Sequence, residues 1–363
     1  MEIMELAGKF WRDKRVLITG HTGFKGSWLS LWLSQLGAHV SGYSLAPATS
    51  PSNFLVSRVE ETLHSSVEAD IRDLGAVINF VTQQQPEIVF HMAAQPLVRY
   101  SYQNPVETYH TNVLGTVNVL EAIRKTPSVK AVVIITSDKC YENREWDWGY
   151  RENEPMGGHD PYSCSKGCTE LVAASYRASY FPPSEHPKHG VGLATVRAGN
   201  VIGGGDWSPD RLVPDLLNAH AQGREVLIRN PAAIRPWQFV LEPLGGYMAL
   251  AERLFEDGAA YAEAWNFGPR EDDALPVEAL IKLLSARLEG GIRYRVHSDP
   301  VLHEAILLKL DCSKAAARLA WRPRTSINDT LQLIANWQNS LLSGRDMQAV
   351  SVAQIDAFQS LNQ

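Results

Sequence analysis

A short apolar run, Arg15–Thr19 (RVLIT), opens directly into Gly20-His21-Thr22-Gly23-Phe24-Lys25-Gly26, and a helix-spaced apolar stretch follows at once. Three glycines spaced this way between a strand and a helix constrain the backbone more than any other feature of the chain. They permit a tight turn and a close approach of main chain to a ligand, with the amides of the helix N-terminus facing a pyrophosphate. A glycine triplet alone also occurs in ordinary turns. The strand–loop–helix setting makes this one a dinucleotide cradle, with Gly20, Gly23 and Gly26 as its frame. His21, Phe24 and Lys25 occupy the variable positions, and His21 reads either as crowding the pyrophosphate or as pointing to solvent.

The same alternation of short apolar runs and amphipathic stretches continues through the first half, the signature of βαβ units and a parallel sheet. It predicts helices over 26–36, 74–84, 106–123 and 162–180. Strands are predicted over 15–19, 39–44, 88–91, 131–136 and 192–198. The run AVVIIT at 131–136 is apolar throughout, as suits a strand covered on both faces. Beyond residue 199 the elements shorten and Pro, Gly and Trp become denser. The reading is a doubly wound α/β domain over 1–198, with later segments near 239–268 returning to it. A smaller α/β substrate domain is interleaved over 199–345, and 346–363 is a C-terminal tail.

Composition narrows the function. Of 363 residues, 34 are Lys or Arg and 40 are Asp or Glu, so the net charge is 34 − 40 = −6. No excess of cations exists to neutralise a phosphate backbone, which argues against a nucleic-acid partner. No apolar run reaches the length of a membrane span, and the charged start MEIMELAGKFWRDKR lacks a secretory core. The four cysteines show neither a CxxC pair nor a metal-like spacing with His. The chain therefore reads as reduced, metal-free and cytoplasmic.

An acidic residue about 20 positions beyond the glycine loop normally receives the adenosine ribose. Here the second strand ends Gly42-Tyr43-Ser44, so Ser44 is the candidate, and no Arg follows to hold a 2′-phosphate. That favours NAD over NADP. Asp70, in Asp70-Ile71-Arg72-Asp73, offers a carboxylate to the adenine amino group or is a solvated turn residue.

Tyr162 and Lys166 stand four residues apart on a predicted helix, hence on one face. A lysine ammonium there lowers a phenol's pKa and lets it act as a base on a sugar hydroxyl. The pair gains meaning from the strand ending Thr136-Ser137, whose hydroxyl suits the same substrate oxygen.

Together the glycine loop, Asp70–Asp73, Asn112-Val113-xx-Thr116, Ser137 and Tyr162-xxx-Lys166 resemble the extended short-chain dehydrogenase/reductase family, over about residues 12–340. The resemblance implies a Rossmann-type fold carrying a nucleotide-sugar domain, bound NAD, and a homodimer built from helices of the first domain. It also implies cofactor contacts from Ile71, Ala93, Ala94, Tyr162 and Lys166. Within the family, Ser137-Asp138-Lys139 resembles the 4,6-dehydratases, which place an acid and then a second proton-transfer group after this Ser. The Asp-Lys form is similar to the branch acting on CDP-glucose, as are residues 20–29 (GHTGFKGSWL), 146–150 (WDWGY) and 235–238 (RPWQ).

That branch implies a role for each residue. Tyr162 takes the C4 hydroxyl proton, Ser137 orients that oxygen, and Lys166 holds the ribose and the phenolate. Lys139 takes the C5 proton while Asp138 protonates the departing C6 hydroxyl. A neutral lysine needs desolvation or nearby cations, a protonated Asp needs a raised pKa, and a close pair opposes both, so the acid and base assignment stays reversible. The resemblance gives the diphosphate to Asn200 and Arg235. Arg211 reads equally as a substrate contact or an exposed helix-start residue, and Trp207 and Trp237 as base-stacking or core. The implied product serves deoxysugar synthesis for surface polysaccharide such as the O-antigen of lipopolysaccharide. Two alternatives compete: a nucleotide-sugar 4-epimerase, which has no need of Asp138-Lys139, and a non-catalytic dinucleotide sensor, which has no need of Tyr162, Lys166 and Ser137.

Overall fold

Every β-strand prediction above ends at the same edge of one parallel sheet. The structure is a computed structural model and describes residues 9–228, 230–296 and 308–361. Its strands are β1 (Arg15–Thr19), β2 (His39–Ser44), β3 (Ser65–Glu68), β4 (Ile88–His91), β5 (Ala131–Ile135), β6 (Gly192–Arg197) and β7 (Ala264–Asn266). Among the described residues they form a seven-stranded sheet in the order β7-β6-β5-β4-β1-β2-β3, with every pairing parallel. The order reverses between β1 and β4, and the crevice beyond the strand ends at such a reversal is where ligands bind.

Alternation within the strands builds both covering layers, because successive side chains face opposite ways. Val16, Ile18, Ile88, Phe90, Val133 and Ile135 point into one core with Trp28, Trp32 and Trp265. Leu17, Val89, Val132 and Ile134 point into the other with Val119, Leu120 and Ile123. The helices α1 (Phe24–Gln35), α2 (Leu74–Gln84), α3 (Gly115–Arg124), α4 (Pro161–Ser179) and α5 (Leu241–Glu256) cover these faces. α1 starts two residues earlier than the sequence predicts, since the turn closes as soon as Gly23 is passed.

The helix expected over 106–123 is interrupted. Pro105–Tyr109 is α-helical, His110–Leu114 forms one π turn, and α3 follows. Asn112 lies at this bulge, and its carbonyl accepts from Thr116 Oγ1 (2.7 Å) and Thr169 Oγ1 (2.9 Å). Its side chain accepts from the Gln95 amide (2.8 Å) and donates to Ser165 Oγ (2.8 Å), so it ties the crevice wall to α4. A π turn at such a junction is a familiar device near sites.

After β6 the chain leaves the sheet. Short pairs, Val201–Ile202 with Gln238–Phe239 and Ile234–Pro236 with Ala274–Pro276, join the helices Leu212–Ala221, Val277–Ser285 and Ile327–Leu342. These share a separate core of Ile202, Val213, Leu216, Leu280 and Leu331. The chain comes back through α5 and β7 to complete the sheet edge. The segment expected as a tail from 346 on is instead the helix Met347–Ser360, capped by Asp346, with Phe358 edge-on to Trp32 of α1 at 5.7 Å. Burying Ile355 and Phe358 holds it there.

Candidate active site

The glycine loop is as crowded as a cradle for a diphosphate must be. Gly20 has φ +78°, and a Cβ on it would lie 2.7 Å from the Ala93 amide nitrogen. A Cβ on Gly26 would lie 2.1 Å from the Gly20 carbonyl oxygen. Gly23 caps α1 without a side-chain bond, which leaves the first-turn amides of Phe24, Lys25 and Gly26 open to an anion. Ala93 and Ala94 are half-buried just past β4, and Ala93 is held by its amide donating to Thr19 Oγ1 at 3.2 Å. These residues fit the diphosphate of a dinucleotide.

Further along, the adenosine end differs from expectation. His21 does not point to solvent. It is 1 % exposed, lies over Gly42, and shares a 2.9 Å hydrogen bond between Nε2 and Ser66 Oγ. Burial brings its pKa down to about 4, so the ring is neutral at pH 7. Ser44 Oγ is bonded to Thr22 Oγ1 (2.8 Å), and the Asp70 carboxylate is engaged by the Arg72 side chain (Nε, 2.8 Å) and amide (2.8 Å). That engagement holds the Asp70 pKa below the ordinary carboxylate range. Hydroxyls rather than a free carboxylate thus line this part of the crevice. Ile71 is buried against Gly115 of α3. His91 is a packed residue at the sheet end, bonded to Thr19 Oγ1 (2.7 Å) and Thr116 Oγ1 (3.0 Å).

Tyr162 and Lys166 fall on one buried face of α4, as their spacing predicts, and α4 begins where Asp160 caps it by accepting from the Ser163 amide. Ser137 ends β5's extension and caps a short 3-10 turn, Asp138–Cys140. Its hydroxyl bonds Asp138 Oδ1 (2.9 Å) and the Tyr162 phenol. One expectation fails here. The phenol's pKa is not lowered by Lys166 but pushed up to about 12 by burial, against the Ser137 bond and the Arg211 charge, which pull it down. Lys166 is itself pulled down to about 7 by burial and by Lys25, with Glu170 opposing, so its charge is weak at neutral pH. Its Nζ donates to the Ile135 carbonyl at 3.1 Å.

Asp138 and Lys139 part company. Asp138 is 4 % exposed and packs on the Gly199 backbone, whereas Lys139 is exposed. No ion pair joins them among the described residues. The desolvation foreseen for Lys139 is likewise absent. A different lysine meets that description. Lys25 is half-buried, and its pKa comes down to about 8 through burial and Arg211, against the attraction of Asp138 and Asp206. Lys25, a residue of the glycine loop, thus feels the charge of Asp138 as well.

In the second domain, Asn200 takes a left-handed conformation (φ +49°) at the end of β6, and its carbonyl accepts from the Gln238 amide at 3.2 Å. Arg235 lies on the neighbouring strand Ile234–Pro236 and is half-buried. Arg211 stands at the start of the helix Leu212–Ala221 with its side chain 37 % exposed, pairs with Asp206 at 3.5 Å, and its charge pulls the Tyr162 pKa down. Both tryptophans are packing residues. Trp237 is 7 % exposed in the second core, and Trp207 lies edge-on to Trp337 at 5.7 Å.

Sequence reasoning missed two groups directly behind the site. Glu170 of α4 and Arg197 of β6 form a buried ion pair at 2.9 Å, tied to Thr136 and Thr195. Gly199 fits under Asp138 because it has no side chain. Position 170 was open to recognition: it is one turn beyond Lys166 and two beyond Tyr162 on the same face. Among the described residues, no group of three His, Cys, Asp or Glu is placed to hold a metal ion, the four cysteines are free, and no helix is long and apolar enough to cross a membrane.

A dinucleotide cradle, a Tyr–Lys helix face and a second domain closing over both define a short-chain dehydrogenase-type enzyme of nucleotide sugars. Comparison with known sequences agrees: residues 17–334 match the GDP-mannose 4,6 dehydratase family, and the chain belongs to it. More particularly, it is 54% identical over 351 residues to the CDP-glucose 4,6-dehydratase of Salmonella typhimurium, covering 97% of this chain and 98% of that one. The CDP-paratose 2-epimerase of Salmonella typhi is 24% identical, over 90% of this chain and all (100%) of that one. The fold is shared with dTDP-glucose 4,6-dehydratase from Bacillus anthracis in complex with NAD. The TM-score is 0.75 at 18% identity, covering 92% of this chain and 99% of that one.

Proposed function

We propose that this chain is a CDP-glucose 4,6-dehydratase that uses NAD and converts CDP-glucose to CDP-4-dehydro-6-deoxyglucose and water. The observation that carries this reading is the 54% identity to the Salmonella enzyme across nearly all of both chains. The Asp138-Lys139 pair directly after Ser137 supports it, because an epimerase has no use for an acid and a second proton acceptor at that turn. Gly20, His21, Gly23, Phe24, Lys25, Gly26, Ser44, Asp70, Ile71, Ala93 and Ala94 line the cofactor side, with Tyr162 and Lys166 at its reactive end. The chemistry that NAD supplies when bound is removal of hydride from C4 of the sugar and its return at C6.

The chain's own groups handle protons. C5–H of glucose is not acidic and C6 hydroxide is a poor leaving group, and a C4 ketone removes the first difficulty. Tyr162 receives the C4 hydroxyl proton, helped by the Ser137 hydrogen bond and the positive charge of Arg211, which oppose the effect of burial. Lys166 holds the ribose and the phenolate. With C4 oxidised, Lys139 takes the C5 proton, and sugar arriving over the exposed side chain supplies the desolvation that neutral lysine requires. Asp138, already buried and held by Ser137, gives a proton to the C6 oxygen as it leaves as water. Lys139 returns its proton to C5 as hydride arrives at C6, and the proton taken up by Tyr162 replaces the one Asp138 gave. Asn200 and Arg235 receive the diphosphate, for which a guanidinium fork is suited, and Arg211 closes the crevice above it.

The functional unit is a homodimer. Val106 (80 % exposed), Leu114 (52 %) and Leu171 (61 %) lie on the adjoining Pro105–Tyr109, π-turn and α4 segments, an apolar stripe suited to a second copy. The product serves cytoplasmic deoxysugar synthesis for surface polysaccharide of the O-antigen and lipopolysaccharide kind.

The test is incubation of the purified protein with CDP-, dTDP-, UDP- and GDP-glucose, with products followed by mass. Loss of one water from CDP-glucose is expected. Preference for another nucleotide overturns the cytidine assignment, and unchanged mass with an inverted hydroxyl overturns dehydration.

A further inference from the structure

Buried ion pairs are expensive to assemble, since both partners must give up water. Glu170 and Arg197 are 4 % and 2 % exposed, and no step of the reaction uses them. Their arrangement is fully satisfied. Glu170 Oε1 accepts from Thr136 Oγ1 (2.5 Å) and Arg197 Nε (2.9 Å), and Oε2 accepts from Thr195 Oγ1 (2.6 Å) and Arg197 Nη2 (2.9 Å). Arg197 Nη1 donates to the Tyr141 hydroxyl (2.6 Å) and the Glu152 carbonyl (3.0 Å), and the guanidinium lies over the Tyr141 ring at 4.8 Å.

Four elements meet at this one pair. Glu170 stands on α4, the helix of Tyr162 and Lys166. Thr136 directly precedes Ser137, and Tyr141 directly follows the Asp138–Cys140 turn, so the turn is fastened at both ends. Thr195 and Arg197 are on β6, two and more residues before Gly199 and Asn200. Apart from the pair, α4 is held to this region by packing of its Gly167 face on the Cys140 carbonyl and by the Lys166–Ile135 bond.

We propose that Glu170 and Arg197 are a positioning pair that sets the placement of the Ser137-Asp138-Lys139 turn against the Tyr162–Lys166 face of α4. The inference rests on the dehydratase reading for its kinetic consequence, but not for its structural one. The pair also acts on Lys166 through space. Lys166 is faced by Lys25 from α1, His91 from β4, Cys140 from the turn and Glu170 on its own helix. Of these, the Glu170 carboxylate is the fixed negative charge. Burial works to raise the Glu170 pKa, yet the bonds from Arg197 and the two threonines outweigh it and keep the carboxylate ionised.

The test is Glu170→Gln in the full-length protein, read in two ways. Turnover of CDP-glucose is expected to fall about 10–100-fold at nearly unchanged KM, as small misplacements of reacting groups do. The Lys166 titration midpoint, read by NMR of protein carrying 13Cε-labelled lysine with Lys166→Arg identifying the signal, is expected to lie lower in the variant than in the wild type. A merely structural residue would leave that midpoint in place. A folded Glu170→Gln protein with either kcat or midpoint unchanged overturns the proposal. If Glu170→Gln does not fold, Thr136→Val decides: it removes the tie at the Thr136 end of the turn and leaves the ion pair and the Tyr141 tie intact. Its kcat is expected to drop about tenfold with the midpoint unmoved, and wild-type kcat overturns the proposal. Should the wild type convert no nucleotide sugar, the functional reading fails, and the two midpoints still test the pair.

Discussion

Gly199 and Asp138 interlock: a Cβ built on Gly199 would lie 1.9 Å from Asp138 Oδ2. The buried carboxylate therefore owes its place to a missing side chain on the neighbouring strand end. Gly199→Ala must push Asp138 away from Ser137 or shift the backbone before Asn200. Dehydration is expected to fall by about 10²–10⁴-fold, the worth of a positioned acid, and the thermal midpoint to drop by a few degrees, since overpacking a buried site costs about 1–3 kcal/mol. Unchanged kcat would show that Asp138 does not act from this position.

Lys139→Met removes the proposed C5 base from an exposed position, so folding is not at stake. Elimination is expected to slow by about 10²–10⁴-fold, together with loss of deuterium uptake at C5 from heavy water. Full dehydration with normal C5 exchange would assign the base elsewhere, with Lys25 next in line.

Gly20→Ala places a side chain at φ +78° and into the Ala93 backbone. The left-handed conformation alone costs about 1–2 kcal/mol. The dinucleotide content of the purified protein, measured by mass after denaturation, is expected to fall at least about tenfold. Retention at the wild-type level would place the dinucleotide outside this loop.

Glu252 accepts a 2.6 Å hydrogen bond from the Trp11 indole, and burial raises its pKa from 4.5 to about 7. A folded-state pKa above the unfolded one means that the protonated form stabilises the fold. That contribution is complete below pH 4.5 and is lost as pH climbs through 7. Glu252→Gln, which keeps an acceptor and cannot ionise, is expected to match the wild-type Tm near pH 5 and exceed it by a few degrees at pH 8. Equal Tm values at pH 8 would contradict the assignment.

Leu171→Glu puts a charge into the exposed apolar stripe of α4. Sedimentation is expected to report a dimer for the wild type and a monomer for the variant, whereas a variant dimer would move the interface elsewhere.

How far the sequence alone reaches depends on the range of each interaction. β1, β2, β4 and α2 match their predicted spans because alternation and capping are local: Asp73, for instance, caps α2 by accepting from the Ala76 amide. The cradle and the Tyr162–Lys166 face were legible for the same reason. Exposure was not. Nothing within five residues distinguishes Asp138, buried against Gly199, from Lys139, exposed to water. Nor does local pattern reveal that Asp206 awaits Arg211, that Thr22 already holds Ser44, or that burial defeats the effect of Lys166 on Tyr162. Each depends on how the folded chain places and buries these groups, which spacing along the sequence does not show.

The return of the chain at β7 has a consequence for how this protein is made. β6 carries an open hydrogen-bonding edge until Ala264–Asn266 has been synthesised and paired with it. The N-terminal sheet therefore cannot be completed on the ribosome, or excised as a free-standing module, before the chain has been made through residue 266. The two halves are one unit of folding and of inheritance, and a cut at residue 198 leaves behind a sticky sheet in place of a smaller enzyme.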